Sequence, residues 1–161
     1  AGVAIPTVEE ILFSKGKLYI DAAGTYPATT EVSNTLLSMD LSINTGWIPV
    51  YTASGALYFS FIKQTSPEIT CTITFEHNAT SVAEKAAWRA GTARSIKIYF
   101  EGATAAATNL SLNMSGKWDN FEKLGEQDGN DVVTGTFRCR YNSANAGFFQ
   151  AIVENTLESL P

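Results

Sequence analysis

The residue types that usually carry out acid–base or metal chemistry are few and scattered in this sequence. Its single histidine, His77, follows Glu76 at the end of a predicted strand, where a solvated side chain is a simpler interpretation than a general base. A zinc site needs three or four nitrogen or sulfur ligands, which one histidine and two distant cysteines cannot supply. The sequence also has no phosphate-binding glycine loop and no Gly-x-Ser-x-Gly motif. We therefore expect no catalytic residue, no metal and no cofactor, and a protein that is not an enzyme.

Two charged clusters lie in the last third of the chain. The first consists of four acids: Glu122, Glu126, Asp128 and Asp131. Their spacing does not match an EF-hand loop, so a solvated acidic turn is favoured over a Ca²⁺ site. The second cluster is the pair Arg138 and Arg140, which could hold a phosphate. Ion pairs with acids on a neighbouring strand or subunit are the preferred interpretation.

The two cysteines, Cys71 and Cys139, each fall on the apolar face of a predicted strand. Two reduced core thiols are the expected state, because a free cysteine behaves as a small buried hydrophobe. A disulfide would require the Cα atoms to lie within about 7 Å of each other. The sequence leaves that alternative open.

The bulk composition indicates one domain with a mildly acidic, weakly charged surface. The chain has 161 residues, a formal net charge of −5 and only 17% charged residues, below the roughly 25% typical of soluble domains. A negative net charge argues against binding nucleic acid through phosphate contacts. The sequence contains no run of 18 or more apolar residues, so no membrane span is predicted. We assign residues 1–10 to an extended arm and residues 11–161 to a single domain.

Alternation of apolar and polar residues predicts most of the strands. It is clearest in Leu37–Asn44 and Ile69–Glu76, where every second residue is apolar. The remaining predicted strands in this part of the chain are Lys17–Ala22, Ala56–Ile62, Ser95–Phe100 and Leu110–Ser115. The segment Trp47–Thr52 contains Pro49, which restricts it to an edge strand or an irregular segment.

One helix is predicted at about residues 81–90. Ser81 and Glu84 have the spacing of a capping box, and Gly91 stands where a helix commonly ends. With seven or eight strands, no parallel βαβ pattern and this one helix, the predicted fold is mostly β. It is an antiparallel β-sandwich or small barrel with a single flanking α-helix.

The C-terminal stretch carries a family resemblance. We interpret Trp118–Asp131 as an acidic turn, followed by a closing antiparallel hairpin of Gly135–Tyr141 and Phe149–Val153. The run Gly129–Asn142, followed by Val153–Leu157, resembles the C-terminus of tail tube (major tail) proteins of long-tailed bacteriophages.

This resemblance implies a β-sandwich subunit with a flanking helix that assembles into rings. Such rings are usually hexameric, or trimeric where each chain carries two domains, and they stack into a tube through which DNA passes without specific binding. The implied location is the virion tail, assembled in the host cytoplasm with other tail proteins as partners and without a membrane.

Within this interpretation, the polar faces of two strands are expected to line the lumen. The candidate residues are Ser38, Asp40, Ser42, Asn44, Thr70, Thr72, Thr74 and Glu76. Neither face carries Lys or Arg, and a wall past which DNA slides should lack cations, because each neutralised phosphate adds affinity. An ordinary solvent-exposed sheet face is the alternative.

Contacts between subunits are expected from loops, from residues 1–10 and from an unpaired edge strand that finds its partner in the next subunit. The loop segments are 46–55 and 126–131. The candidate residues are Trp47, Tyr51, Glu126, Asp128, Asp131, Arg138 and Arg140.

A second function class is a receptor- or glycan-binding β-sandwich module of a phage or bacterial surface protein. Its loops would carry the site, with Tyr26, Trp47, Tyr51 and Trp118 as contacts. Such a module should stay monomeric or form a small defined oligomer, whereas a tube subunit should form rings or polymers.

Overall fold

The computed structural model describes residues 11–55, 57–102, 108–144 and 146–155, and these contain ten strands, one α-helix and one 3₁₀ turn. The predicted N-terminal arm, residues 1–10, lies outside the described residues. The strands are β1 Gly16–Ala22, β2 Leu36–Asn44, β3 Trp47–Val50, β4 Phe61–Gln64, β5 Glu68–Glu76, β6 Arg94–Glu101, β7 Asn109–Phe121, β8 Gly125–Gln127, β9 Asn130–Cys139 and β10 Phe149–Glu154. Helix α1 is Ala79–Arg89, and the 3₁₀ turn is Phe13–Lys15.

Eight of these strands form one antiparallel sheet. The main order is β1-β6-β7-β9-β5-β2, with β10 paired to β7 and β8 paired to β9. Strands β3 and β4 form a separate two-stranded sheet. The predicted mostly β, antiparallel fold with one helix is therefore confirmed, although the described strands do not close into a barrel.

The long strand β7 joins two halves of the main sheet. Residues 109–116 pair with β6, residues 109–114 also pair with β10, and residues 116–121 pair with β9. We call β1, β6, β10 and the first part of β7 the β6 half. The β9 half consists of β2, β5, β9 and the second part of β7. Both halves turn apolar side chains into one shared core.

The change of partner along β7 takes place at Gly116. A Cβ atom at this position would overlap the carbonyl oxygen of Arg138 and lie 2.9 Å from the Cα of Cys139. Only glycine allows the main chains of β7 and β9 to come this close. The predicted strand Leu110–Ser115 is therefore too short: it continues through Gly116 to Phe121, and Trp118 lies in β7 rather than in an acidic turn.

The core of the β9 half is an aromatic cluster around Trp118. Its ring centroid lies 4.8 Å from that of Phe121, 5.2 Å from that of Phe137 and 5.6 Å from that of Phe75, each in an edge-on arrangement. Such edge-to-face pairs add to the stabilisation that comes from burial alone. Phe75 and Phe137 are completely buried.

A buried polar contact fastens helix α1 to this cluster. The indole Nε1 of Trp118 donates a 2.9 Å hydrogen bond to Glu84, whose other carboxylate oxygen lies 3.1 Å from Arg94 at the start of β6. Burying a carboxylate is costly unless it is paired and hydrogen-bonded, and here it is both. The helix is thus tied to both halves of the sheet.

The helix begins two residues earlier than predicted. Asn78 is its N-cap, and the capping box joins Asn78 to Ser81 rather than Ser81 to Glu84. The predicted box is wrong because the Glu84 side chain is used in the core. Gly91 follows the helix with φ +64°, as its predicted terminal role requires.

Three further expectations about strands are corrected. The closing hairpin is wrong, because β10 pairs with β7 and not with β9. Of the predicted strand Ala56–Ile62, only Phe61 and Ile62 lie in a strand, and Ala56 lies outside the described residues. In β2 a bulge after Leu36 turns that side chain, rather than Leu37, toward the core.

Replacing Gly116 with alanine should destabilise the fold, because the added methyl group overlaps the β9 main chain. We expect a loss of about 1 to 3 kcal/mol or more in the free energy of unfolding, measured by chemical denaturation. Gly24→Ala is the matched control, since no atom lies within 4 Å of its Cβ position. Equal stabilities of the two variants would contradict the close approach of β7 and β9.

Candidate assembly surfaces

The eight predicted lumen residues lie on one face of the β9 half. In the β2–β5 ladder, Asp40 lies opposite Thr72, and Ser42 lies opposite Thr70. Residues directly opposite each other project from the same side of a sheet, and alternate residues along a strand share that side. The structure therefore brings together Ser38, Asp40, Ser42, Asn44, Thr70, Thr72, Thr74 and Glu76.

Strand β9 extends this surface with more hydroxyl groups. Thr136 lies opposite Thr72, and Thr134 lies opposite Thr74 with 3.3 Å between the two hydroxyl oxygens. Threonine suits this position because its branched side chain packs on the pleated surface while its hydroxyl faces outward. We call this surface the polar face.

The polar face also contains cations, which the prediction from β2 and β5 alone did not include. Arg138 lies opposite Thr70, and Lys117 lies opposite Arg138 on β7. The Arg138 guanidinium lies 2.6 Å from Glu68 and 3.4 Å from Asp119. This confirms that Arg138 pairs with acids on neighbouring strands, and it leaves Arg138 little free charge to attract phosphate.

A two-stranded arm projects from the same half of the sheet. It consists of residues 47–55 and 57–64, in which β3 and β4 pair antiparallel between the end of β2 and the start of β5 in the chain. At its base the Thr65 amide donates to the Gly46 carbonyl at 2.7 Å, and Gly46 has φ +74°. A Cβ at Gly46 would lie 2.5 Å from the Thr65 carbonyl oxygen, so this narrow junction requires glycine.

The arm exposes an unusual number of large apolar side chains. Trp47 and Tyr51 are 57% and 67% exposed, and Leu57 is fully exposed. The other exposed large apolar residues of the arm are Ile48, Tyr58, Phe59, Phe61 and Ile62. Within the described residues, β3 and β4 pair only with each other, and an isolated two-stranded hairpin is marginally stable in water. Exposed apolar patches of this kind are characteristic of interaction surfaces.

The predicted acidic turn is a tight β-hairpin. Gln127 pairs with Asn130, and the two residues between them, Asp128 and Gly129, have φ of +53° and +83°. Two positive φ values in a two-residue loop define the turn that favours Asp-Gly. This dipeptide is the sequence signal that could have predicted β8.

Among the described residues, no group of three His, Cys, Asp or Glu side chains is arranged to hold a metal ion.

The arm and the acidic turn lie at opposite ends of the β9 half. Strand β9 starts at the acidic turn and ends beside Arg140, a length of about 30 Å for ten residues. Because β5 runs antiparallel to β9, its first residues and the arm before them lie at the Arg140 end. We call these the arm end and the turn end.

The two outer strands of the sheet differ in how their edges are covered. Segment 29–32 lies along β1, where the Ile20 amide donates to Thr30 and the Val32 amide to Leu18. The Asp21 carboxylate holds this segment: hydrogen bonds from the Thr30 hydroxyl and from the Thr29 and Thr30 amides lower the pKa of Asp21 to about 2. Among the described residues, β2 has β5 as its only strand partner. Within the described part of the chain no strand covers the second edge of β2, and an edge of this kind can pair with a strand of another chain.

Comparison with known proteins adds a match at the level of the fold. No protein-family model matches the sequence, and no curated protein matches it. Among solved structures, the SPP1 tail tube determined by solid-state NMR and cryo-electron microscopy superposes with a TM-score of 0.62 at 8% sequence identity, over 92% of this chain and 81% of that one. The chain has a tail-tube-like fold. At 8% identity, the superposition says nothing about individual residues.

The predicted inter-subunit residues divide between the two ends of this fold. Arg138 and Arg140 lie at the arm end together with the arm itself, which carries Trp47 and Tyr51. The turn end holds Glu126, Asp128 and Asp131. Whether these residues touch another subunit stays a prediction.

Two residues proposed as contacts of a binding module are not freely exposed. Trp118 is only 4% exposed in the core, so its assignment as a binding contact is wrong. Tyr26 is half-buried, with its hydroxyl 3.4 Å from the Asn113 carbonyl.

In the described part of the chain, no helix is long and apolar enough to cross a membrane.

The two cysteines are free thiols on adjacent strands beneath the polar face. Cys71 is buried opposite Phe137, and Cys139 lies two residues further along β9. Burial raises the pKa of each thiol to about 12. Because the thiolate is the reactive form, both groups should be inert at neutral pH.

We expect the native protein to react with iodoacetamide at pH 8 at least 100-fold more slowly than the denatured protein. With a pKa of about 12, roughly one thiol in ten thousand is ionised at that pH. Mass spectrometry of alkylated samples measures the rate. Ser14→Cys, at an exposed position, is the positive control. Rapid alkylation of the buried Cys71 or the half-buried Cys139 in the folded protein would contradict their raised pKa values.

Proposed function

We propose that this chain is a structural, non-catalytic subunit of a phage tail tube, which self-assembles into rings that stack into a conduit for DNA. The observation that carries the proposal is the exposed apolar arm at one end of a tail-tube-like fold. Large apolar surfaces are rarely left in water, so the arm needs a partner. A second copy of the chain is the proposed partner, with other tail proteins at the ends of the tube.

The open edge of β2 supports ring formation by sheet extension. An unpaired strand presents a row of backbone donors and acceptors, which a strand of the next subunit satisfies. A contact between two different surfaces of the same chain closes into a ring when the rotation between subunits allows it. The proposed ring is a hexamer of single-domain chains, located in the virion tail and assembled in the host cytoplasm.

The polar face is the proposed wall of the lumen. Its centre is made of threonine hydroxyls, which give DNA phosphates no fixed positive charge to bind. Arg138 is balanced by Glu68 and Asp119, and Asp40 and Glu76 add negative charge. Lys117, which has no ion pair within the described residues, lies at the arm end of the face, away from its threonine centre. Such a surface favours the passage of DNA over its retention.

The first test is assembly of the wild-type chain, followed by negative-stain electron microscopy and light scattering over a concentration series. We expect rings or tubes, and we expect Trp47→Ala/Tyr51→Ala to lose the tubes because the arm has lost its largest apolar contacts. Val82→Ala, which shortens an exposed apolar side chain on α1, should assemble normally. A wild-type chain that stays monomeric at every concentration would refute the proposed function and favour the binding module. Tubes formed equally well by the arm variant would refute the role of the arm.

A second test addresses the lumen. Tubes of Thr72→Lys assembled with short duplex DNA should retain that DNA through low-salt washing and release it as salt rises, because each subunit adds a cation to the wall. Co-sedimentation of DNA with the tubes provides the measurement. Ala83→Lys adds the same charge at an exposed position of α1 and should retain no more DNA than wild type. Equal retention by the two lysine variants would show that the polar face does not line the lumen.

A further inference from the structure

A pocket of about 290 Å³ lies at the arm end, between β7 and the chain that follows β9. Lys117 and Arg140 provide its charged groups, and the Tyr141 and Ser143 hydroxyls are further possible donors. Among the described residues, none that lines it is acidic. In a chain with a net charge of −5, this is a local concentration of positive charge.

The two cations of the pocket are less neutralised by nearby carboxylates than two other arginines, Arg138 and Arg94. Arg140 lies 3.7 Å from Asp119, whereas Arg138 lies 2.6 Å from Glu68 and Arg94 lies 3.1 Å from Glu84. Within the described residues, no ion pair involves Lys117. The charge of both pocket side chains is therefore available to an incoming anion.

Hydrogen bonds hold the floor of the pocket in place. The Asn142 side chain donates to the Ala23 carbonyl at 2.8 Å and to the Ser115 hydroxyl at 3.2 Å. The Arg140 amide donates to the Ser115 carbonyl at 2.8 Å. These bonds fix the main chain on both sides of the cations, so little ordering is needed when an anion binds.

The acidic turn has the complementary charge at the opposite end of the molecule. Glu126 and Asp131 lie directly opposite each other in the β8–β9 hairpin, both exposed. Like charges directly opposite across two strands repel each other, and a cation from outside would relieve that repulsion. The tight Asp128-Gly129 turn places both carboxylates within two residues of the tip of the hairpin.

We propose that the pocket formed by Lys117 and Arg140 in one copy receives the Glu126–Asp131 hairpin of the next copy. The pocket and the hairpin lie at opposite ends of β9, so a displacement along that strand brings one to the other. The contact joins two different surfaces and therefore propagates head to tail, as stacked rings require. This inference rests on the proposed tube function. The apolar arm at the same end supplies affinity, and the charge pair fixes orientation.

Charge reversal in both partners tests this contact. Lys117→Glu/Arg140→Glu and Glu126→Lys/Asp131→Lys should each raise the protein concentration needed for half-maximal assembly by about tenfold or more, as light scattering measures it. A chain that carries all four substitutions restores opposite charges and should return to within about threefold of wild type. Asp128 is left unchanged because its φ of +53° disfavours lysine.

The control is Lys15→Glu/Arg89→Glu, which changes net charge by the same amount as the pocket variant at exposed positions elsewhere. It should assemble like wild type. Circular dichroism establishes that each variant is folded. If a reversal variant does not fold, Lys117→Gln/Arg140→Gln and Glu126→Gln/Asp131→Gln take its place and should each still raise the assembly concentration.

The outcomes separate this contact from the proposed function. If wild type assembles and the pocket or turn variants assemble equally well, the contact is refuted and the tube remains. The contact is also refuted, and the tube remains, if the chain with all four substitutions needs as high a protein concentration for half-maximal assembly as the pocket variant or the turn variant. A wild-type chain that never assembles refutes both.

Discussion

The close approach of β7 and β9 at Gly116 is the constraint on which the rest of the structure depends. At this point β7 leaves its partners in the β6 half and takes β9 as its neighbour. A side chain there would separate the two main chains and with them the two halves of the sheet. Because the main chains meet, Met114 and Trp118, on either side of Gly116, enter the same core. One glycine thus allows a single strand to organise both halves.

This arrangement also decides what the β9 half presents to the outside. Its inner face is filled by Cys71, Ile73, Phe75 and Phe137, all completely buried, so its register cannot slip by one residue without exposing them. The outer face is fixed by the same register and collects hydroxyl groups and charged side chains of both signs. The direction of β9 then separates the apolar arm from the acidic turn. The difference between the arm end and the turn end is therefore set by the packing of the core and not by the surface residues themselves.

Local patterns predicted the parts of this fold that depend on local interactions. The alternation in β5 and the terminal glycine of α1 act over a few residues, and both are found as expected. The partner of β10 and the continuation of β7 through Gly116 depend on segments distant in sequence, and both were predicted wrongly. The N-cap was misassigned for a related reason: the Glu84 side chain fits a local motif but is used by Trp118 and Arg94 in the core.

The candidate surfaces were predictable to a similar degree. Alternation alone identified which residues of β2 and β5 are polar and share a face, but it could not show that β9 and β7 add Arg138 and Lys117 to that face. Neither could it show that the arm projects beyond the sheet, because its apolar residues have the composition of a core strand. Exposure distinguishes the two cases: Leu57 is fully exposed, whereas Ile73 is fully buried.

An exposed apolar arm is a hazard for a free chain, since it can associate with any other apolar surface. The net charge of −5 opposes such encounters in general. Opposite charges at the two ends of β9 lower that repulsion in one relative orientation, the one in which an arm end meets a turn end. In the proposed tube, apolar burial provides the stability of the contact, while the charges select its geometry. Under that proposal, this division of roles lets a chain with a large apolar surface grow in one direction instead of aggregating.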